Sequence, residues 1–167
     1  SSQTNPPNKM AYKVVTAPTV EPFTRAFVKT WLKIPASVTA EDTIVDELII
    51  AARSWAEQGT GRALMTQTIE EYFDCWPVCG VRLSVAPIQS VSSIQYLSGG
   101  SYVTWDSANY NTDLVTEPCR ITLKNTGQIP SYDSATTNVI KVTYVAGNTA
   151  TTAIPRTTMQ SMLQKIA

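Results

Sequence analysis

The first question for this chain is which side chains are able to do chemistry. There is no histidine among its 167 residues. That removes the commonest general base near neutral pH and the commonest metal ligand. Serine and threonine are plentiful, but no imidazole is there to activate them, so only a Ser–Lys arrangement stays formally open. Glu70 and Glu71 are adjacent. On a strand they point to opposite faces and cannot act as a carboxylate pair. Gly99-Gly100 lacks the lysine and the following helix of a phosphate-binding loop. The three thiols are Cys75, Cys79 and Cys119. An odd count argues against a fully paired disulfide framework. A zinc site would need all three thiolates and a fourth, non-histidine ligand, so buried or idle thiols are the simpler expectation. Trp31, Trp55, Trp76 and Trp105 could stack on bases or sugars. Without interleaved basic residues they read instead as core or interface anchors. The chemistry-bearing residues therefore point away from an enzyme and from any cofactor or metal.

Composition says the same about partners. Thirteen basic residues balance thirteen acidic ones, and charged residues make up only 16% of the chain. A dedicated nucleic-acid binder usually carries a basic excess. Low charge suits a subunit whose surface meets other subunits, and it also suits a plain β-rich domain. No apolar run is long enough to span a bilayer, and Ser1 to Lys9 is polar, unlike a signal peptide.

The elements follow from periodicity. Residues 1–19 read as an N-terminal arm with extended structure at Tyr12–Val15, and residues 20–167 as one domain. Thr24 is a good N-cap for a first helix, with Phe23 and Val28 at hydrophobic-staple positions and Pro35 closing the element. Thr39 is the expected N-cap of a second helix. There Ile44, Val45, Leu48, Ile49, Ala52 and Ala56 form one apolar stripe, Arg53 and Glu57 fall on the polar side, and Gly59 and Gly61 end it. The period then changes to two. Strands are expected over Thr66–Phe73, Val81–Val85, Val91–Leu97, Tyr102–Trp105, Arg120–Leu123 and Val139–Val145. Pro87 is expected to end one strand and Ser90 to begin the next. A last helix runs from about Arg156 to Ile166. Strands grouped together indicate an α+β fold: N-terminal helices packed on a small antiparallel sheet, with a C-terminal helix.

Several strings in this order resemble the head–tail connector (adaptor) family of tailed bacteriophages, which also serves phage-like gene transfer agents. Pro22-Phe23-Thr24, then Lys29, then Leu32-Lys33-Ile34 is similar to that family's opening Pro-x-Thr, lysine, Leu-x-Ile. Thr60-Gly61-Arg62-Ala63-Leu64-Met65-Thr66-Gln67-Thr68 resembles its Thr-Gly-Arg-x-Leu-x-x-Gln-Thr. Pro87-Ile88-Gln89-Ser90-Val91-Ser92-Ser93-Ile94-Gln95-Tyr96 resembles its Pro-x-x-Ser-Val-x-x-Val-x-Tyr strand. Tyr110, Ala146-Gly147 and Ile154-Pro155 follow in order. The likeness spans about residues 20–167, and the segment before residue 18 has no counterpart in it.

The resemblance implies a structural virion protein of the neck, assembled in the host cytoplasm. It would form a homo-oligomeric ring, dodecameric to match the usual portal symmetry. It would bind the portal protein after packaging, extend the DNA channel without binding DNA specifically, and offer a surface to the next neck or tail protein. A capsid decoration or tail-associated binding module is the alternative. Tyr12, Arg62, Tyr102 and Trp105 are the expected subunit-interface residues, Arg62 serving either to bridge a neighbour's carboxylates or to cover its own turn. Arg156, Met159, Met162, Leu163, Lys165 and Ile166 are the expected portal-docking residues, the apolar ones alternatively closing the subunit's own core.

Overall fold

A computed structural model describes residues 11–77, 79–124 and 127–167. In chain order the elements are β1 (Ala11–Thr16), α1 (Arg25–Trp31), α2 (Asp42–Thr60), β2 (Gln67–Phe73), β3 (Val81–Arg82), β4 (Ile88–Ser98), β5 (Ser101–Thr104), β6 (Tyr110–Asp113), β7 (Arg120–Leu123), β8 (Ile140–Ala146) and α3 (Arg156–Ile166). A five-stranded antiparallel sheet has the order β1-β2-β8-β4-β5, and a three-stranded one the order β3-β7-β6. The fold is α+β, as the grouping of strands indicates.

Two hydrophobic clusters divide the interior. Ile69, Phe73, Ile94, Val142 and Tyr144 of the large sheet meet Val81, Leu83, Val85 and Ile121 from the small sheet and its flanks. Val28, Val45, Ile49, Ala52, Ala56, Met162, Leu163 and Ile166 form a separate helical core, closed by Leu64 and Met65 just before β2. The second helix therefore spends its buried stripe chiefly on α1, α3 and the chain entering the sheet. Ile44 departs from the expected stripe and is 60% exposed. Each residue turns the helix by about 100°, which leaves Ile44 beside the face that Val45, Ile49, Ala52 and Ala56 bury.

The helix ends show which local signals held. The Thr24 hydroxyl accepts from the Phe27 N–H at 3.3 Å and caps α1. The helix stops at Trp31, short of Pro35. The Ile34 N–H returns to the Lys29 carbonyl at 2.9 Å and the Lys33 N–H to Thr30 at 3.1 Å, with Lys33 at φ 58°. That is a Schellman turn, with lysine where glycine is usual. Thr39 does not cap α2, which begins at Asp42 after Glu41. Asp42 is fixed from α1 instead: the Lys29 ammonium reaches its Oδ1 at 2.7 Å and Arg25 its Oδ2 at 3.1 Å. Tertiary ion pairs, not the threonine, set this start.

In the sheet, Gln67, Ile69, Glu71 and Phe73 face inward and alternate with half-buried residues. Both faces of this strand look mixed in sequence because two polar residues belong to the inside. Ser90 lies within β4, at one of its two register shifts, and the strand begins at Ile88. The sequence offered no strand signal for β6, whose residues Tyr-Asn-Thr-Asp are polar and half exposed.

Glu71 is fully buried in this interior. It accepts from the Ser84 N–H at 3.1 Å, the Ser84 hydroxyl at 2.7 Å and the Tyr144 hydroxyl at 2.8 Å. Burial raises its carboxyl above the usual range, and these hydrogen bonds partly offset the rise.

Two outcomes are expected. Ile49→Ala lowers unfolding free energy by about 2–4 kcal/mol, whereas Ile44→Asp stays within about 0.5 kcal/mol of the parent in urea melts. Glu71→Leu leaves Ser84 and Tyr144 donors unpaired and costs about 2–5 kcal/mol. The raised folded-state value favours the protonated form. Its stabilisation is therefore present below the unfolded value and lost as pH rises through the folded one. The parent should lose stability relative to Glu71→Gln over that window and stay level above it.

Candidate assembly surfaces

Among the described residues the outer strands of the large sheet are β1 and β5. An open edge presents unpaired backbone N–H and C=O groups. β1 is part of the subunit's own sheet, paired with β2 from Ala11↔Tyr72 to Thr16↔Thr68. It leaves Tyr12, Val14 and Val15 exposed, so Tyr12 is available to a neighbour. Residues 1–10 of the expected arm lie outside the described residues.

The other expected interface residues are engaged inside the subunit. Arg62 makes a two-pronged ion pair with Glu117 of the same chain, at 2.7 and 3.0 Å. Tyr102 is half-buried; its hydroxyl donates to the Asn138 carbonyl at 2.6 Å, and the Lys141 ammonium sits 4.6 Å from its ring centroid. Trp105 is 6% exposed, so it is a core residue and not a free anchor. Its ring meets Trp76 edge-on at 4.8 Å and lies 5.4 Å from Tyr110, closing the space between the two sheets.

The last helix divides in the same way. Met162, Leu163 and Ile166 are buried in the helical core and Met159 is half-buried against it. Arg156 and Lys165 are exposed, and Lys165 lies 5.8 Å from the Trp55 ring centroid. Three of the six expected docking residues thus build their own subunit, as the alternative reading has it.

The family-like strings turn out to hold the fold together. Gly61 ends α2 in the left-handed conformation at φ 64°. Glu57 accepts from Arg53 at 2.8 Å, from the Leu64 N–H at 2.9 Å and from the Gln67 side chain at 2.9 Å. Arg53 also pairs with Glu21 at 2.8 Å, and both guanidinium contacts are largely out of solvent. The sequence placed Arg53 and Glu57 on a solvated face. The signal that could have found them is Gln67, a polar residue on the inward face of β2. Gly147, at φ 102°, lies so close to Met65 that a Cβ would fall 2.1 Å from its carbonyl oxygen. Here the chain leaving β8 meets the chain entering β2.

Cys119 is buried, and desolvation pushes its thiol up to about 11. Cys75 and Cys79 are exposed. No group of three or more potential metal-ligating His, Cys, Asp or Glu residues occurs among the described residues.

Charge is spent internally. Arg25, Lys29, Arg53, Arg62, Arg120 and Lys141 all sit in salt bridges. These cations are therefore partly neutralised before any phosphate approaches. In a gel-shift assay at physiological salt the free protein should hold duplex DNA no tighter than about 10⁻⁵ M, within the non-specific range. Nanomolar binding with a steep salt dependence contradicts this account of the surface.

No protein-family model matches the sequence, and no curated protein matches it. Solved structures do match in shape. A chain of the neck of an empty gene transfer agent (GTA) particle, computed with C6 symmetry, superposes at TM-score 0.73 with 18% identity, over 93% of this chain and 81% of that one. A chain from the virion of a native GTA particle gives 0.75 and 18%, with the same coverage. One from the neck of a native particle, computed with C12 symmetry, gives 0.63 and 16%, over 93% and 80%. Nearly the whole of this chain therefore has the fold of chains that build gene-transfer-agent particles.

Proposed function

We propose that this chain is a structural, non-enzymatic subunit of the neck of a phage-like particle. More specifically, it acts as a ring-forming head–tail adaptor. It binds the portal after packaging, continues the DNA channel, and presents a surface to the next neck or tail protein. The observation that carries this reading is the fold match over 93% of the chain to GTA neck and virion chains. The sequence strings that resemble the adaptor family support the same fold, because their residues form its joints: Lys29 at the start of α2, Gly61 and Gln67 at the helix-to-sheet junction, and Gly147 against Met65.

The docking element on this reading is the outward flank of α3, where Ser161, Gln164 and Lys165 are exposed. Met162, Leu163 and Ile166 anchor that helix from beneath. Removing the helix would therefore collapse the helical core and test folding, not docking. Surface substitutions separate the two.

Particles assembled without this chain should accumulate as filled heads that carry no tails, and adding the purified protein should restore tailed particles. A double variant, Gln164→Glu with Lys165→Glu, should melt within a few degrees of the parent yet restore poorly. Counting heads and tailed particles by electron microscopy reads both results. Normal tailed particles in the absence of the chain contradict the reading.

A further inference from the structure

The outermost strand β1 is held to the subunit chiefly by its backbone. It pairs with β2 at Ala11↔Tyr72, Tyr12↔Glu71, Lys13↔Glu70, Val14↔Ile69 and Thr16↔Thr68, and the register shifts between Val14 and Thr16. Tyr12, Lys13, Val14, Val15 and Thr16 are all exposed. Among the described residues, none of these five belongs to either hydrophobic cluster. A cavity of about 150 Å³ lies between strand and body, lined by Tyr12 and Val14 from β1 and by Glu57, Arg62, Ile69 and Val85 from the rest. β2 is built the other way. Its Gln67, Ile69, Glu71 and Phe73 are buried, and its second edge is paired with β8 from Gln67 to Phe73. A peripheral strand with little apolar burial opens at low free energy while the sheet behind it stays folded.

The segment after β1 suits release. Ala17, Thr19 and Val20 are exposed. Pro18 disfavours helical backbone at Ala17, which keeps the segment extended. The chain is then fixed firmly: Glu21 pairs with Arg53 at 2.8 and 3.3 Å, and Pro22 and Phe23 are buried. Release of β1 therefore pivots on residues 17–20 and leaves both cores in place. Four residues let the start of the strand swing by up to about 14 Å from that anchor. The seat on β2 has one occupant that the structure shows to fit it, which is β1. The β1 of a second copy makes the same pairs in the same seat. Exchange between copies thus loses and gains equal pairing, and the high local concentration of neighbours in an assembly decides between them.

We propose that β1 is an exchangeable strand: in the assembled state the β1 of one copy leaves its own β2 and pairs with the β2 of the next copy in the same register. The contact is heterologous, strand into seat, and repeats around a closed ring. The proposal rests on the ring-forming reading and deepens it by naming the segment that links neighbouring copies. Tyr12 and Val14 then line the neighbour's cavity instead of their own.

The test uses Lys13 and Glu70, which oppose each other across the β1–β2 ladder. Directly opposed positions of an antiparallel pair lie close enough for a disulfide. Full-length Lys13→Cys and Glu70→Cys chains are each made with Cys75→Ser and Cys79→Ser, which removes the exposed native thiols. The two are mixed and treated with oxidised glutathione, and neither can form the 13–70 bond within itself. Strand exchange predicts a covalent heterodimer in the mixture that neither chain yields alone. A chain carrying both substitutions should give a ladder of linked copies at concentrations where sedimentation velocity shows the parent associating. Thr16→Cys with Thr68→Cys, another opposed pair, serves if Glu70→Cys does not fold. If the doubly substituted chain bonds only to itself while the parent associates, strand exchange fails and the ring reading stands. If the parent stays monomeric at every concentration and the mixture yields no heterodimer, both fail.

Discussion

The arrangement depends on one carboxylate, Glu57, near the end of α2. It takes hydrogen bonds from Arg53 one turn earlier, from the Leu64 N–H and from the Gln67 side chain at the start of β2. The helical core and the sheet core are separate clusters, so something must fix the angle between them. Apolar contact alone is non-directional. A charge-assisted network with defined donors supplies direction, and burial makes a missing partner costly. Gly61 turns the chain in the left-handed conformation between Glu57 and Gln67, and Gly147 lets the end of β8 lie against the same segment. The recognisable Thr-Gly-Arg string is therefore a joint of the fold, with its arginine reaching out to steady the β6–β7 loop.

A fully buried carboxylate does comparable work within the sheet core. Glu71 binds both the backbone and the hydroxyl of Ser84, and reaches Tyr144 on the neighbouring strand. Together these two networks let a subunit with little charge keep a defined shape. Tyr12, Phe27 and Val115 stay exposed on its surface.

Much of this was legible in the sequence. β7 and α3 have the expected bounds, Thr24 caps α1, and the strands group as the period-two segments indicate. What escaped reading was set by partners far along the chain. Asp42 begins α2 because Lys29 and Arg25 hold it, so the local capping preference of Thr39 lost. Arg53 looked solvated because Glu21, thirty-two residues away, is invisible to a helical wheel. Trp105 looked like an interface anchor because nothing local announces Trp76 across the sheets. Strand β6 is polar and has no periodic signal of its own; Thr112 pairs with Ile121 of the core strand β7. For the surfaces, residue type could not tell which aromatic side chains stay exposed: Tyr12 does and Trp105 does not.

The most direct measurement is a map of the intact particle neck at a resolution that traces side chains, with this chain located in it. The account predicts a single closed ring of copies between the portal and the next neck component, each with α3 turned toward the portal. Density for the chain on the capsid lattice or along the tail tube, with no ring at the head–tail junction, would contradict it.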